Sequence, residues 1–383
     1  MKRSLGLYLH IPFCIQKCLY CDFCSFPKAT EASMTSYAKE LCRRLERAAG
    51  RCEEYRVDTV YFGGGTPTLL PLSAMESILD CIRTRYDLAP DAEITCECNP
   101  ASADGEKLSA LRRMGINRLS LGLQSVHDSE LALLGRAHDY GEFLATFGQA
   151  REAGFENISV DLMYGIPDQT LESFRASLRT VAALSPEHIS AYGLKVEEGT
   201  PFFRMADRLV LPDEDTEFKM YEAMTDILGE YGYAKYEISN FAKAGRESRH
   251  NLRYWRREPY LGFGVAAHSC FEGERFGNSR DLDAFLRGED ITAERERLDD
   301  IDERDEYLFL GLRLASGIDL ADYRRRFGAF FREVYPQADA LLAAGYLKTD
   351  GERIAFTDKG FFVSNTILAE LMAQNERKFS KNC

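Results

Sequence analysis

Tryptophan occurs once in these 383 residues and histidine six times, so a site built on either must be read from very few positions. No apolar run approaches the ~20 residues that a membrane-spanning helix needs. Positive charge is also scarce. Lys and Arg number 48 against 61 Asp and Glu, a net charge of -13, which argues against nonspecific nucleic-acid binding as the main task, since that needs a basic face, and leaves room only for local basic patches. No C-x-x-C-H motif is present, so covalent c-type haem attachment is excluded. Pro/Ser-rich and single-charge blocks are missing, and with them the signature of a disordered segment. After Lys2 and Arg3 the apolar stretch stops at His10 and Pro12 with no small-residue cleavage site, unlike a secretory leader. The expected compartment is the cytoplasm.

What remains is a composition of 45% hydrophobic and 28% charged residues, that of a globular chain long enough for one large domain and a smaller appendage. Cysteine is plentiful, at 11 residues. The number is odd and the residues crowd toward one end, which fits metal ligation in a reducing interior better than a disulfide framework.

Six short runs rich in β-branched or aromatic residues alternate with segments of helical period. The runs are Leu5 to Pro12, Val57 to Phe62, Glu93 to Glu97, Arg118 to Leu123, Ile158 to Met163 and His188 to Val196. Between them the spacing predicts helices over Thr35 to Arg47, Leu72 to Thr84, Gly105 to Met114, Asp128 to Leu134, Tyr140 to Ala153 and Leu171 to Leu184, with Gly115 and Gly154 as stop signals. A series of β-α units implies a parallel sheet, doubly wound or curled toward a barrel. Polar and Gly-rich residues follow the strands, and in such folds the C-terminal strand ends gather on one face. From Asp302 onward helices and a hairpin at Asp350-Gly351 predict a small winged-helix-like unit, with Asp319 capping a helix whose Leu320, Tyr323 and Phe327 form an apolar stripe.

The first strand runs into Cys14, Cys18 and Cys21, spaced C-x3-C-x2-C. Thiolates at that spacing can wrap an iron-sulfur cluster or bind zinc. A structural zinc site would crowd Cys24 into the same loop as fourth ligand, a ferredoxin-type cluster would use Cys24 likewise, and buried structural thiols are the plainest alternative. With three ligands only, one iron of a four-iron cluster stays open to a substrate.

The Cys loop preceded by His10-Ile11-Pro12-Phe13, together with Tyr61-Phe62-Gly63-Gly64-Gly65-Thr66-Pro67, resembles the radical S-adenosylmethionine superfamily. Glu97-Cys98-Asn99-Pro100, Ser120 to Ser125, Leu134-Gly135-Arg136-Ala137-His138 and Asp161 to Pro167 extend the resemblance almost end to end to the oxygen-independent coproporphyrinogen III oxidase family. The resemblance implies a partial (β/α)6 TIM-like barrel over residues 1-235, a connecting segment over 236-300 and a C-terminal winged-helix-like α+β domain over 301-383. It implies one 4Fe-4S cluster on Cys14, Cys18 and Cys21, whose open iron chelates S-adenosyl-L-methionine for one-electron cleavage. Gly64, Gly65 and Thr66 are the implied contacts of the methionine moiety, offering backbone amides and a hydroxyl. Glu97, Gln124, Arg136 and Asp161 match the remaining contacts, and Tyr8 and Tyr20 match positions near the adenosyl group and the cluster.

Two branches share this scaffold. One decarboxylates coproporphyrinogen III to protoporphyrinogen IX by radical chemistry. The other keeps the cofactor sites but carries haem as cargo to target proteins. The Cys loop begins fourteen residues from the first residue, without the oxidase's longer extension, and Phe23 stands where the oxidase has a fourth Cys. His250-Asn251-x-x-Tyr254-Trp255 matches a motif of the haem-chaperone branch, which makes His250 the candidate axial ligand; His268 is a weaker candidate, read as a structural residue. The chaperone branch is therefore the expected one, and the oxidase its alternative. The implied partners are haem, haem-accepting proteins and an electron donor such as flavodoxin or ferredoxin, with contact at a membrane periphery. Arg324, Arg325 and Arg326 raise the further alternative of a DNA-binding regulator, against which the acidic composition stands, and the expectation is of no DNA partner.

Overall fold

Strands β1 (Arg3–Ile11), β2 (Tyr55–Gly64), β3 (Leu88–Cys98), β4 (Arg118–Gln124), β5 (Ile158–Tyr164) and β6 (His188–Gly193) pair in parallel, each with the next, in the computed structural model, which describes residues 2–379. Their helices are α1 (Glu31–Ala49), α2 (Leu72–Arg85), α3 (Gly105–Arg113), α4 (Asp128–Leu134), α5 (Tyr140–Glu152) and α6 (Leu171–Ala183). Strands buried on both faces explain the near-continuous apolar runs. Leu5, Leu7, Leu9 and Ile11 of β1 are fully buried, as are Leu119, Leu121 and Leu123 of β4. Helix ends follow the sequence signals. Asp139 and Glu142 form a reciprocal capping box on α5, and Gly115 and Gly154 take positive φ just after α3 and α5.

The parallel set does not close on itself. Helix α7 (Glu214–Glu230) leads to β7 (Ala234–Lys235) and β8 (Asn240–Ala242), and β8 pairs antiparallel with β6. Helix α8 (Arg249–Trp255) then delivers the chain to the opposite edge, where β9 (Tyr260–Phe263) runs parallel to β1. Beyond it β10 (His268–Phe271), β11 (Glu274–Asn278) and β12 (Thr292–Arg297) continue antiparallel, giving one sheet in the order β12-β11-β10-β9-β1-β2-β3-β4-β5-β6-β8-β7. Residues 236 to 300, read from the sequence as a connecting segment, thus add strands at both edges of the barrel sheet. They were hard to see because their strands are short and β12 is exposed along its whole length, its charged residues protecting a sheet edge.

Helix α9 (Asp300–Gly311) opens the C-terminal unit, a helical cluster around a small antiparallel sheet of β13 (Ile318–Asp319), β14 (Leu347–Thr349) and β15 (Arg353–Phe356). Asp319 caps α10 (Leu320–Phe327) as expected, and Tyr323 is its buried residue. The unit docks on the barrel through Ile238 N–H to Arg313 O (3.0 Å) and Ala315 N–H to Tyr236 O (3.0 Å). Arg325 and Arg326 pair with Asp322 one turn back, and Arg324 lies over the Phe330 ring, so these arginines are engaged within their own unit. Among the described residues no helix is long and apolar enough to cross a membrane.

Candidate functional site

The C-terminal ends of the parallel strands surround a cavity of about 520 Å³. Cys14, Cys18 and Cys21 line one side together with Tyr20, and Gly64, Gly65 and Thr66 follow from the end of β2. Glu97 from β3, Gln124 from β4, Asp161 from β5 and Arg136 after α4 complete it. Eleven residues singled out from the sequence thus meet in one place, across a chain separation of 147 positions from Cys14 to Asp161.

Backbone contacts fix the Cys loop from two sides. Gly65 N–H donates to Ile11 O (2.9 Å) and Thr66 N–H to Phe13 O (2.7 Å), while Leu19 N–H donates to Leu134 O (3.0 Å) at the end of α4. The Gln16 side chain donates to Gly135 O at 3.0 Å. The glycine amides expected as donors are engaged within the chain, Gly64 N–H by Glu97 Oε2 at 3.0 Å and Gly65 N–H by Ile11 O. The glycines are required instead by close approach. A Cβ on Gly65 would lie 2.6 Å from Phe13 O, and one on Gly64, whose φ is +107°, would lie 2.5 Å from the His10 ring.

Burial raises the Cys14 thiol, and it raises Cys21 to about 11, with Cys18 beside each adding in the same direction. These thiols stay protonated at neutral pH until a metal displaces the proton. Arg136 Nη1 lies 3.5 Å from Cys18 Sγ and Thr66 Oγ1 3.8 Å from Cys14 Sγ, so the sulfurs have polar neighbours within the cavity. Cys24 is different. Its backbone carbonyl accepts from His10, and the residue is absent from the lining of this cavity and borders a second one instead.

The same cavity is lined by a buried network of carboxylates and donors. Asp161 accepts from Ser120 Oγ (3.2 and 3.1 Å) and Ser159 Oγ (3.3 Å), yet burial raises its carboxyl above the usual range. Glu97 accepts from Tyr61 Oη at 2.9 Å as well as from Gly64, but burial, reinforced by the charge of Asp161, lifts it to about 7. Gln124 reaches the cavity through a bulge. The register skips Leu123 between Gly122 and Gln124, and Gln124 takes φ +77°, which re-aims the last side chain of β4. Arg118, which the sequence reading did not single out, is 1% exposed and lines the same cavity, its Nε without a hydrogen-bond partner. The signal was a charge at the start of an otherwise apolar strand. Arg136 Nε is likewise buried and without a partner.

Glu97 gives a pH test. Its folded pKa of about 7 lies above the 4.5 of an exposed Glu, so stability is fully present below pH 4.5 and is lost as pH rises through 7. Glu97→Gln keeps an acceptor for Tyr61 and Gly64 but cannot ionise. In the cofactor-free protein its stability relative to wild type is expected to improve by about 3 kcal/mol between pH 4.5 and 8, read from denaturant midpoints.

Two expected site residues are elsewhere. The Tyr8 hydroxyl is 3.0 Å from His10 Nδ1 and the ring borders the second cavity, not the first. His250 lines neither. Its Nδ1 is 2.8 Å from Thr59 Oγ1 and its Nε2 2.8 Å from Tyr254 Oη; the ring is wholly buried against Tyr61. Burial, then the cations of Arg253 and Arg118, push it down to about 3. With both nitrogens hydrogen-bonded, it offers no free lone pair to a metal.

A model described as the radical SAM superfamily matches residues 8–181, and one described as the HemN C-terminal domain matches residues 298–363. The chain is 34% identical to the heme chaperone HemW of Bacillus subtilis, over 96% of this chain and 99% of that one. It is also 34% identical to the heme chaperone HemW of Escherichia coli, over 97% and 98%. Among solved structures, coproporphyrinogen III oxidase (HemN) of Escherichia coli, a radical SAM enzyme, superposes with a TM-score of 0.84 at 25% identity, covering 97% of this chain and 90% of its own.

Proposed function

Because the chain belongs to the radical SAM superfamily and, within it, to the heme chaperone HemW family, we propose that it binds haem and passes it to haem-accepting proteins. The scaffold for this task holds one 4Fe-4S cluster on Cys14, Cys18 and Cys21, with S-adenosylmethionine in the adjoining cavity. The observation that carries the reading is the meeting of three thiols with Glu97, Gln124, Arg136 and Asp161 around that cavity, which Cys24 does not line. Each thiolate of a cubane takes its own iron, so the sulfurs need not converge on one point. Among the described residues no group of three or more His, Cys, Asp or Glu is arranged around a single ion.

The donor set also suits the organic cofactor. Arg136 and Arg118 each keep a buried Nε without a partner, a match for a carboxylate. The carboxyls of Asp161 and Glu97 can accept from ribose hydroxyls or an ammonium group. Bound together, cluster and S-adenosylmethionine supply one-electron cleavage of a sulfur–carbon bond. The protein's part is to orient the ligand between thiols and carboxylates and to exclude water. An electron donor such as flavodoxin or ferredoxin and contact at a membrane periphery belong to the same reading, as does a cytoplasmic location.

The second reading is the oxidase, favoured by the superposition on HemN. Haem titration by absorbance, run beside a coproporphyrinogen III assay on the anaerobically reconstituted protein, separates the two. Stoichiometric haem binding without decarboxylation is expected; turnover would replace the chaperone by the oxidase.

A further inference from the structure

The second cavity, about 680 Å³, is large enough for a ligand of drug size or greater. Asp22 and Phe23 border both cavities, so one short segment of the Cys loop is the wall between them. Phe23 is 68% exposed, an apolar side chain that the protein itself does not cover. Tyr254 and Tyr260 stand edge to face, centroids 4.6 Å apart, and supply further aromatic surface. Arg280 is largely exposed, with Asp22 its recorded ion-pair partner at a loose 3.6 Å. Glu294 is the other acid on the wall.

Three histidines stand in or behind this cavity, and their states differ. His10 spends Nδ1 on the Tyr8 hydroxyl and Nε2 on Cys24 O (2.9 Å), and His250 spends both nitrogens on Thr59 and Tyr254. His268 is exposed at the start of β10, and among the described residues its ring has no recorded hydrogen bond or ion pair. Its neighbour across the strand pair is Gly277, where a Cβ would come within 2.8 Å of the imidazole, so the absence of a side chain there makes room for the ring. Ligation of haem iron needs a neutral imidazole with a free nitrogen, a macrocycle needs apolar and aromatic faces, and propionates need a cation.

We propose that haem seats in this second cavity, with His268 as axial ligand and Arg280 holding a propionate. His250 acts one step back as a positioning residue, its Nε2 holding the Tyr254 hydroxyl so that the tyrosine ring forms part of the wall. The sequence motif around His250 thus contributes Tyr254 to the site, and the metal ligand comes from a different stretch of chain. This inference rests on the haem-binding reading above and specifies where the cargo sits.

The test is titration of the full-length protein with haemin and, in parallel, with metal-free protoporphyrin IX. His268→Ala is expected to weaken haemin binding at least about tenfold and to abolish the spectrum of an imidazole-ligated iron, while changing free-base porphyrin affinity by less than about twofold. Arg280→Ala should weaken both porphyrins. His250→Gln should retain the imidazole-ligated spectrum. Wild-type affinity and spectrum in His268→Ala, or loss of the imidazole signature in His250→Gln alone, would overturn the proposal. Failure of wild type to bind haemin would overturn the chaperone reading itself.

Discussion

Cys18→Ala is expected to leave the anaerobically reconstituted chain without its iron, from about four irons per chain to background. The expectation is local. The loop is pinned by Leu19 N–H to Leu134 O and by Gln16 to Gly135 O, neither of which involves the Cys18 thiol, so the fold should survive the loss of a ligand. Cys14→Ala and Cys21→Ala should behave alike. Cys24→Ala should keep full iron, because Cys24 is not among the residues lining the cavity of the other thiols and the bond to His10 uses only its carbonyl. Iron and sulfide analysis alongside a thermal midpoint separates ligand loss from unfolding. Full iron in the Cys18 variant would contradict the assignment, and loss of iron in the Cys24 variant would make this a closed four-thiolate cluster.

Gly65→Ala should disturb the site by a different route, at a cost of roughly 2–3 kcal/mol. The added Cβ meets backbone, not a flexible side chain: Phe13 O at 2.6 Å, and Ile11 O and Phe13 N at 2.9 Å. Relief requires parting the seam made by Gly65 N–H to Ile11 O and Thr66 N–H to Phe13 O, which holds the entry to the Cys loop against β2. Lower stability and reduced iron retention are therefore expected together. Gly148→Ala is the control. It adds a methyl group in the interior of α5 with nothing within 4 Å, and should stabilise by up to about 1 kcal/mol. A Gly65 variant with wild-type stability would mean that the seam is not what the glycine serves.

The parallel core was legible because each strand is apolar on both faces and each helix carries its own caps; Arg118 to Leu123, for instance, appears as β4 Arg118–Gln124. The convergence of Cys14, Glu97 and Asp161 followed from topology alone, since strand ends of a parallel sheet share a face. Direction within the site was not legible. Nothing in Gly63-Gly64-Gly65-Thr66 reveals that its amides bond the Cys loop and Glu97, or that a bulge turns Gln124 inward. The histidines show the same limit. His250 sits in a suggestive motif, yet its burial and its paired nitrogens depend on Thr59 and Tyr254, brought together by the fold. Arg118 escaped notice because its role depends on Glu97 and Asp161 from neighbouring strands.

The haem-carrier account is tested most directly by loading the reconstituted protein with haemin, adding an apo-haemoprotein, and following the acceptor's absorbance with coproporphyrinogen III present in a parallel reaction. The account predicts transfer of haem to the acceptor and unchanged coproporphyrinogen III. Conversion of coproporphyrinogen III to protoporphyrinogen IX, with haem neither bound nor transferred, would contradict it.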